Sequence, residues 1–529
     1  MMLATLLLVL PFCQDPAPVA RAWQEYPEAD ALEYSFELRI DPRKPHLQGS
    51  VRYRFRAVED LRAVRLDSVA GPDYRIRFFQ SGELRAERSG DLLVVQLENP
   101  VPAGEEFEFR AELEGAPPDG FYFRDTRYGE PCAFTDHFSV RARGWFPCED
   151  HPGDRARFSL QILAPEGFDV VCSGDVMQVS EDADDGVGVS HWPEAGWLAF
   201  EAAMATEMPT YMLGIAVAPY ARVEEAGDER LVPHYVYSRD AARAKRGCVH
   251  HAAWMQLMEE TFGPYDYSKY CVVQVPTRWG GMENAGNTWV MESLFDPPRF
   301  GIGTLAHEFA HQWFGDGVGY RDWQEVWLSE GFASYFGPWL DAATEGPPLA
   351  RSMDQSRRRW LNAREGETLP IRWDGYGTPD ESLNSNTYPK GAWVLHMLRG
   401  ELGDAAFFEG LRSWYQANRG RAVDTVSLRK AMELRSGRDL RGFFAQWLDR
   451  PGCPELRLAW GADSVVVEQV QAGEPFDFLL PLQWTGADGR VRKQSFRVRE
   501  RRLEIRLAGG PVKVPVVDPD VELLYRKAR

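Results

Sequence analysis

The stretch Ala306-His307-Glu308-Phe309-Ala310-His311-Gln312-Trp313 carries two histidines four residues apart. On a helix that spacing puts both side chains on one face, where both can reach one ion. Imidazole nitrogen suits zinc, and a Glu beside the first His is the general base of zinc hydrolases. Phe300, Ile302, Ala306, Phe309, Ala310 and Trp313 give the stretch an apolar stripe, with Gly315 as its expected stop. A core helix could carry two His by accident, so a third ligand decides. Glu330 supplies it, with eighteen residues between it and His311. That gap fits a loop and a return helix. Two His and one Glu leave a fourth tetrahedral position open, which marks a catalytic zinc site, one ion per chain.

A second group lies upstream, in Trp279-Gly280-Gly281-Met282-Glu283-Asn284. Two glycines let a backbone approach a bound chain closely, and Glu283 adds a carboxylate. A strand edge that hydrogen-bonds an extended peptide suits this piece. A third group is Tyr388-Pro389-Lys390-Gly391-Ala392. Pro389 is expected at a helix start, leaving Tyr388 just before it, with a phenol able to donate to an oxyanion.

The rest of the chain must position these groups. At 529 residues it exceeds one core. The apolar fraction of 44 % and charged fraction of 26 % are those of ordinary globular proteins. A net charge of −19 argues against nucleic acid as a partner. The seven Cys include no CxxC pair, so no Cys metal site is suggested. Cys132 and Cys148 could pair in an oxidising compartment, but odd count and wide spacing favour buried free thiols. The apolar run Leu3 to Leu10 is too short to span a bilayer and reads as a signal peptide over residues 1–22. Export to the periplasm, exterior or cell surface follows if that reading holds, and a cytoplasmic place otherwise. No transmembrane segment is expected.

Alternation at Tyr34, Phe36, Leu38 and Ile40, and at Val51, Tyr53 and Phe55, predicts strands. Further runs follow at Leu92–Leu97, Phe107–Leu113, Phe158–Ile162 and Tyr211–Val217. An N-terminal β-sandwich is therefore expected over residues 23–230. A helix is predicted from Ala241 to Phe262, then a strand from Tyr270 to Val275. Amphipathic helices follow at Gly391–Leu402, Ala405–Ala417, Ser427–Leu434 and Leu440–Leu448. The α/β catalytic region thus runs over residues 231–452. Beyond Pro451-Gly452, alternation returns, and residues 453–529 read as a small β-sandwich. The fold class is multidomain α+β.

These motifs together resemble the zinc aminopeptidase (gluzincin) family of the aminopeptidase N and leukotriene A4 hydrolase type. The resemblance rests on HExxH with Glu330, the Gly-x-Met-Glu-Asn element and Tyr-x-Lys-Gly-Ala. Ala142-Arg143-Gly144-Trp145-Phe146-Pro147-Cys148-Glu149-Asp150-His151-Pro152 and Phe443-Phe444-Ala445-Gln446-Trp447-Leu448 are similar too. It implies an N-terminal β-sandwich, a thermolysin-like zinc domain and a small β-domain. It also implies that the large C-terminal helical domain of many relatives is missing, leaving a more open cleft. Two departures stand out. Where relatives carry a Gln and a Glu that help hold the substrate amine, this chain has Asp136 and Phe138. Where relatives place a carboxylate seven residues after the ligand Glu, it has Gly337. Asp316 and Asp322 are then candidates to orient the ligand imidazoles.

The expected activity is zinc-dependent hydrolysis of N-terminal residues from peptides with a free amine. His307, His311 and Glu330 are the metal ligands, and Glu308 and Tyr388 the catalytic pair. Gly280, Gly281, Met282, Glu283, Asn284 and Asp136 are the substrate-binding candidates. Three alternatives stay open: an endopeptidase, another hydrolase such as an epoxide or small-molecule hydrolase on the same site, and a decayed peptide-binding protein.

Overall fold

A computed structural model describes residues 25–179, 195–363 and 365–528. The expected signal peptide and Cys13 lie outside the described residues. No described helix is long and apolar enough to cross a membrane.

The N-terminal part is built on an eight-stranded sheet whose central strands are Ala29–Ile40, Leu47–Ala57 and Ala156–Pro165. Ala29–Ile40 pairs antiparallel with Leu47–Ala57, placing Tyr34 opposite Tyr53, and parallel with Ala156–Pro165. One face is apolar because the alternating residues are: Tyr34, Phe36, Tyr53, Phe55, Phe109 and Phe158 are all buried. Trp145 and Phe146 fill that face, with the Phe36 ring 5.2 Å from Trp145 and 5.0 Å from Phe146. The segment after them is pinned by buried Arg143, which donates to Asp150 at 3.0 Å and pairs with Asp67 at 3.1 Å. Smaller sheets of four and three strands complete this part.

The next sheet has five strands, ordered Ala221–Val223, His234–Val236, Cys271–Gln274, Asn287–Val290 and Gly281–Met282. It begins ten residues earlier than the expected boundary at 231, because Ala221 pairs with Val236 across a hairpin. Gly281–Met282 is an edge strand, and its antiparallel pairing with Asn287–Val290 leaves its other side open. The helix expected over 241–262 is two helices, Ala241–Gly247 and His251–Thr261, broken at Cys248–His250. Tyr211–Val217, expected as a strand, starts as a tight turn at Thr210–Met212 before the strand Ile215–Ala218.

Helix Ile302–His311 packs on helix Trp327–Ala343, and Gly391–Leu402 packs against the latter. Close approach needs glycine. A Cβ on Gly337 would lie 2.8 Å from the His307 Cα, and one on Gly331 would lie 3.0 Å from the Gly391 Cα. The last part has two sheets, with central strands Glu455–Trp460 with Ser464–Gln469 and Phe478–Thr485. The six described Cys are free and buried; Cys132 faces the Tyr220 hydroxyl, and Cys148 lies opposite Asp67.

Candidate metal and peptide site

The helix Ile302–His311 and the helix Trp327–Ala343 bring three ligand atoms to one point. His307 Nε2 and His311 Nε2 are 3.2 Å apart, and each is 3.3 Å from Glu330 Oε2. A zinc ion with bonds of about 2.0 Å has tetrahedral edges of about 3.3 Å, so the three atoms form one face of such a site. Glu330 Oε2 is buried and has no hydrogen-bond partner, as a ligand atom should be. The donor set, the spacing and this orphaned oxygen all fit zinc.

Neither Asp316 nor Asp322 orients the imidazoles, contrary to expectation. Asp322 caps the turn at Gln324, and Asp316 accepts from Gln312 at 2.7 Å. His311 Nδ1 instead lies 3.2 Å from the Phe314 carbonyl and 2.9 Å from Ser329 Oγ. The Ala333 backbone of the facing helix favours the protonated form of the His307 ring. That backbone is near because Gly337 lets the helices approach. The His311 acceptors hold the proton on its far ring nitrogen and leave Nε2 free for a metal.

Glu283, Glu308 and His311 bring one ligand atom each within 4.8 Å of one another. Glu283 Oε1 is buried without a partner. Burial pushes the Glu308 carboxyl well above its usual range; His311 opposes this, and Glu283 and Glu330 add to it. Burial alone would lower His311, but Glu283 and Glu330 outweigh it and raise the ring to about 10. Three carboxylates around two imidazoles leave negative charge that a dication and a substrate ammonium would balance. Tyr388 donates to Glu330 Oε1 at 2.7 Å. It sits in a wide turn, with Lys390 N–H bonded to the Ser385 carbonyl. Pro389, expected at a helix start, lies inside this turn, and the helix begins at Gly391. Without an N–H, Pro389 cannot continue a regular ladder.

Gly281 lies against Glu308, where a Cβ would overlap the carboxylate, while Gly280 is open. Met291 N–H bonds to the Gly280 carbonyl, so ladder alternation directs the Gly281 N–H and C=O to the free edge. Met282 and Asn284 are buried, and the Asn284 carbonyl accepts from Gln312 at 3.3 Å. Asp136 is also buried, but its oxygens accept from Thr277 at 3.0 Å and Trp279 at 3.1 Å. Its carboxylate therefore braces the approach to Gly280. Phe138 packs edge-on to Tyr211 and Trp323.

A second trio, Glu225, His234 and His251, reads differently. His234 Nδ1 accepts the Val272 N–H at 3.0 Å, so its Nε2 holds the proton and donates to Glu225 at 3.0 Å. His251 Nδ1 is 2.7 Å from the same carboxylate. These are hydrogen bonds in a buried clasp behind the ligand helix, with the His251 ring 5.7 Å from Phe309.

Gln312 is the residue that sequence reasoning missed. A glutamine within the apolar stripe Ala306 to Trp313 was the available signal.

Residues 249–447 match the peptidase family M1 domain, and residues 30–211 match the peptidase M1 N-terminal domain. Aminopeptidase N of Streptomyces lividans is 28 % identical over 72 % of this chain and 45 % of its own length. Human aminopeptidase B is 26 % identical over 65 % of this chain and 56 % of its own. The chain thus spans about half the length of the curated relatives it matches. The crystal structure of an M1 zinc metallopeptidase from Deinococcus radiodurans superposes with a TM-score of 0.67 at 25 % identity, covering 80 % of this chain and 95 % of that one. A mutant of that peptidase has been solved with a Tyr-Ser-Ala substrate.

Proposed function

Because the chain belongs to the M1 peptidase family, we propose that it is a zinc aminopeptidase that removes one residue at a time from peptides with a free N-terminus. The observation that carries this reading is the unpartnered, buried Glu283 Oε1 beside Glu308 and His311. A free α-amine is mostly cationic near neutrality. Glu283 binds it and fixes the register one residue from the chain end. The open edge at Gly281 pairs with the backbone that follows, and Met282 lines the first side-chain pocket. The tripeptide bound by the Deinococcus relative supports a substrate of this kind.

His307, His311 and Glu330 would hold the zinc, which when bound acidifies water and polarises a carbonyl as a Lewis acid. Glu308 takes the proton of the attacking water and returns it to the leaving amine. Tyr388 turns its hydroxyl from Glu330 to the carbonyl oxygen as negative charge develops there. Asp136 acts at a distance from the amine, by bracing Thr277 and Trp279.

The test compares a peptide with its N-acetylated form. Hydrolysis of the free peptide alone supports the proposal. Equal cleavage of both would make the enzyme an endopeptidase, and zinc binding without turnover would make it a binding protein. Export is a separate proposal, resting on the apolar run Leu3 to Leu10; the N-terminal sequence of the mature protein tests it.

A further inference from the structure

The loop Thr378–Ser382 has two sides. On one, the Asp380 carboxylate accepts from Ser139 Oγ and Arg141 at 2.6 Å each and from Arg278 at 3.1 Å, at the approach to Gly280. On the other, Thr378, Pro379 and Ser382 wall a groove of about 550 Å³ that no residue of the proposed mechanism lines.

The groove has aromatic walls and an excess of negative charge. Trp323, Trp373 and Tyr376 line it. Trp373 is 38 % exposed, whereas Trp323 is buried and its indole N–H has no partner. Five carboxylates, from Glu25, Asp322, Glu325, Asp374 and Asp424, face two guanidinium groups, from Arg321 and Arg372. Glu325 and Arg372 lie 3.4 Å apart, while Asp322 and Asp424 cap local turns. Asp374 makes no hydrogen bond or ion pair among the described residues. His151, also on the groove, is held toward its neutral form by burial.

We propose that this groove is an exosite for the downstream part of a peptide substrate, and that it favours Lys or Arg there. The proposal rests on the aminopeptidase reading. A peptide whose amine sits at Glu283 and whose backbone pairs with Gly281 runs past Gly280 and Trp279 to Arg278. Arg278 is bonded to Asp380, so the chain arrives at the loop that walls the groove. The aromatic walls accept the stem and charge of a basic side chain. Asp374 and the net acidity supply the complementary charge.

The experiment uses the full chain with zinc and two sets of decapeptides sharing one N-terminal sequence. A Lys-Arg or a Glu-Glu pair is stepped along positions four to nine, and a leucine anilide, too short to reach the groove, serves as reference. At one or two adjacent positions kcat/KM for the basic pair should exceed that for the acidic pair about five- to tenfold, and the ratio should shrink at about 0.5 M salt. Trp373→Ala and Asp374→Lys should each lower the ratio about threefold or more, with anilide turnover unchanged. Equal rates for basic and acidic peptides at every position overturn the exosite and leave the aminopeptidase reading intact. A preference that survives both substitutions also overturns it. Failure of the wild type to cleave the anilide or any peptide overturns the aminopeptidase reading itself.

Discussion

Gln312 Nε2 donates to Asp316 Oδ2 at 2.7 Å, and this bond fixes the amide that joins the ligand helix to the Glu283 segment. Gln312 is fully buried and directly follows His311. Its Oε1 accepts from Tyr265 at 2.9 Å and from the Gly286 N–H at 3.0 Å. Its Nε2 also reaches the Asn284 carbonyl at 3.3 Å. The turn next to Glu283 is therefore held in register with His311.

Gln312→Ala should loosen the amine anchor more than the chemistry. Each buried partner left unpaired costs about 1–3 kcal/mol, so KM for free peptides should rise about tenfold or more. The fall in kcat should be smaller, with zinc retained. Gln312→Glu should do the same, and adding Asp316→Asn should recover part of KM by restoring a donor toward residue 312. Steady-state kinetics with metal analysis checks this; an unchanged KM would remove Gln312 from amine positioning.

Gly281 and Gly280 should respond differently to one methyl group. At 281 it meets the Glu308 carboxylate, and at 280 it meets nothing within 4 Å. Misplacing a reacting group by about 1 Å can cost about 100-fold, so Gly281→Ala should lower kcat by about that factor with zinc still bound. Gly280→Ala should stay within about threefold of wild type, since it leaves Glu308 untouched. Equal activity of both variants would contradict the packing of Glu308 against the edge strand.

Tyr388→Phe should lower kcat about 10²- to 10³-fold with little change in KM, because an oxyanion donor acts mainly in the transition state. Its hydroxyl makes one hydrogen bond among the described residues, to Glu330, a bond that the metal ligand set does not need. Zinc content should therefore persist. Removing zinc by chelation should abolish turnover in wild type, and adding zinc back should restore it.

The convergence of His307, His311 and Glu330 was legible because helical spacing fixes geometry. His307 and His311 share a face by number alone, and the eighteen-residue gap to Glu330 fits a loop and a return helix. The supports of those ligands were not legible. The supports at Phe314 and Ala333 are backbone groups, which carry no side-chain signature, so acidic residues at Asp316 and Asp322 drew attention in their place. Asp136 shows the same limit, since sequence cannot say that Thr277 and Trp279 occupy its oxygens. The alternating strands were readable for the same reason as the ligand helix. The strand Ala221–Val223 was not, because it is defined by its pairing with His234–Val236 and not by alternation of its own.

His396 makes the docking of the last β part sensitive to acid. Its Nε2–H donates to the Val521 carbonyl at 2.8 Å, and its Nδ1 is buried without a partner. Protonation would add a donor with nothing to receive it. Burial accordingly pushes the ring down to about 4; the Val521 carbonyl opposes this, and Arg399 and Arg357 add to it. In the unfolded chain the ring titrates near 6.5. Between these values the unfolded state binds a proton that the folded state refuses. This contribution to stability is therefore fully present above about pH 6.5 and falls steadily toward pH 4, by about 2 kcal/mol at pH 5. His396→Gln keeps a donor for Val521 and removes the titration. Thermal unfolding at pH 7 and pH 5 should show a larger loss of Tm in wild type than in the variant, by a few degrees. Equal losses would mean that His396 takes up its proton in the folded protein.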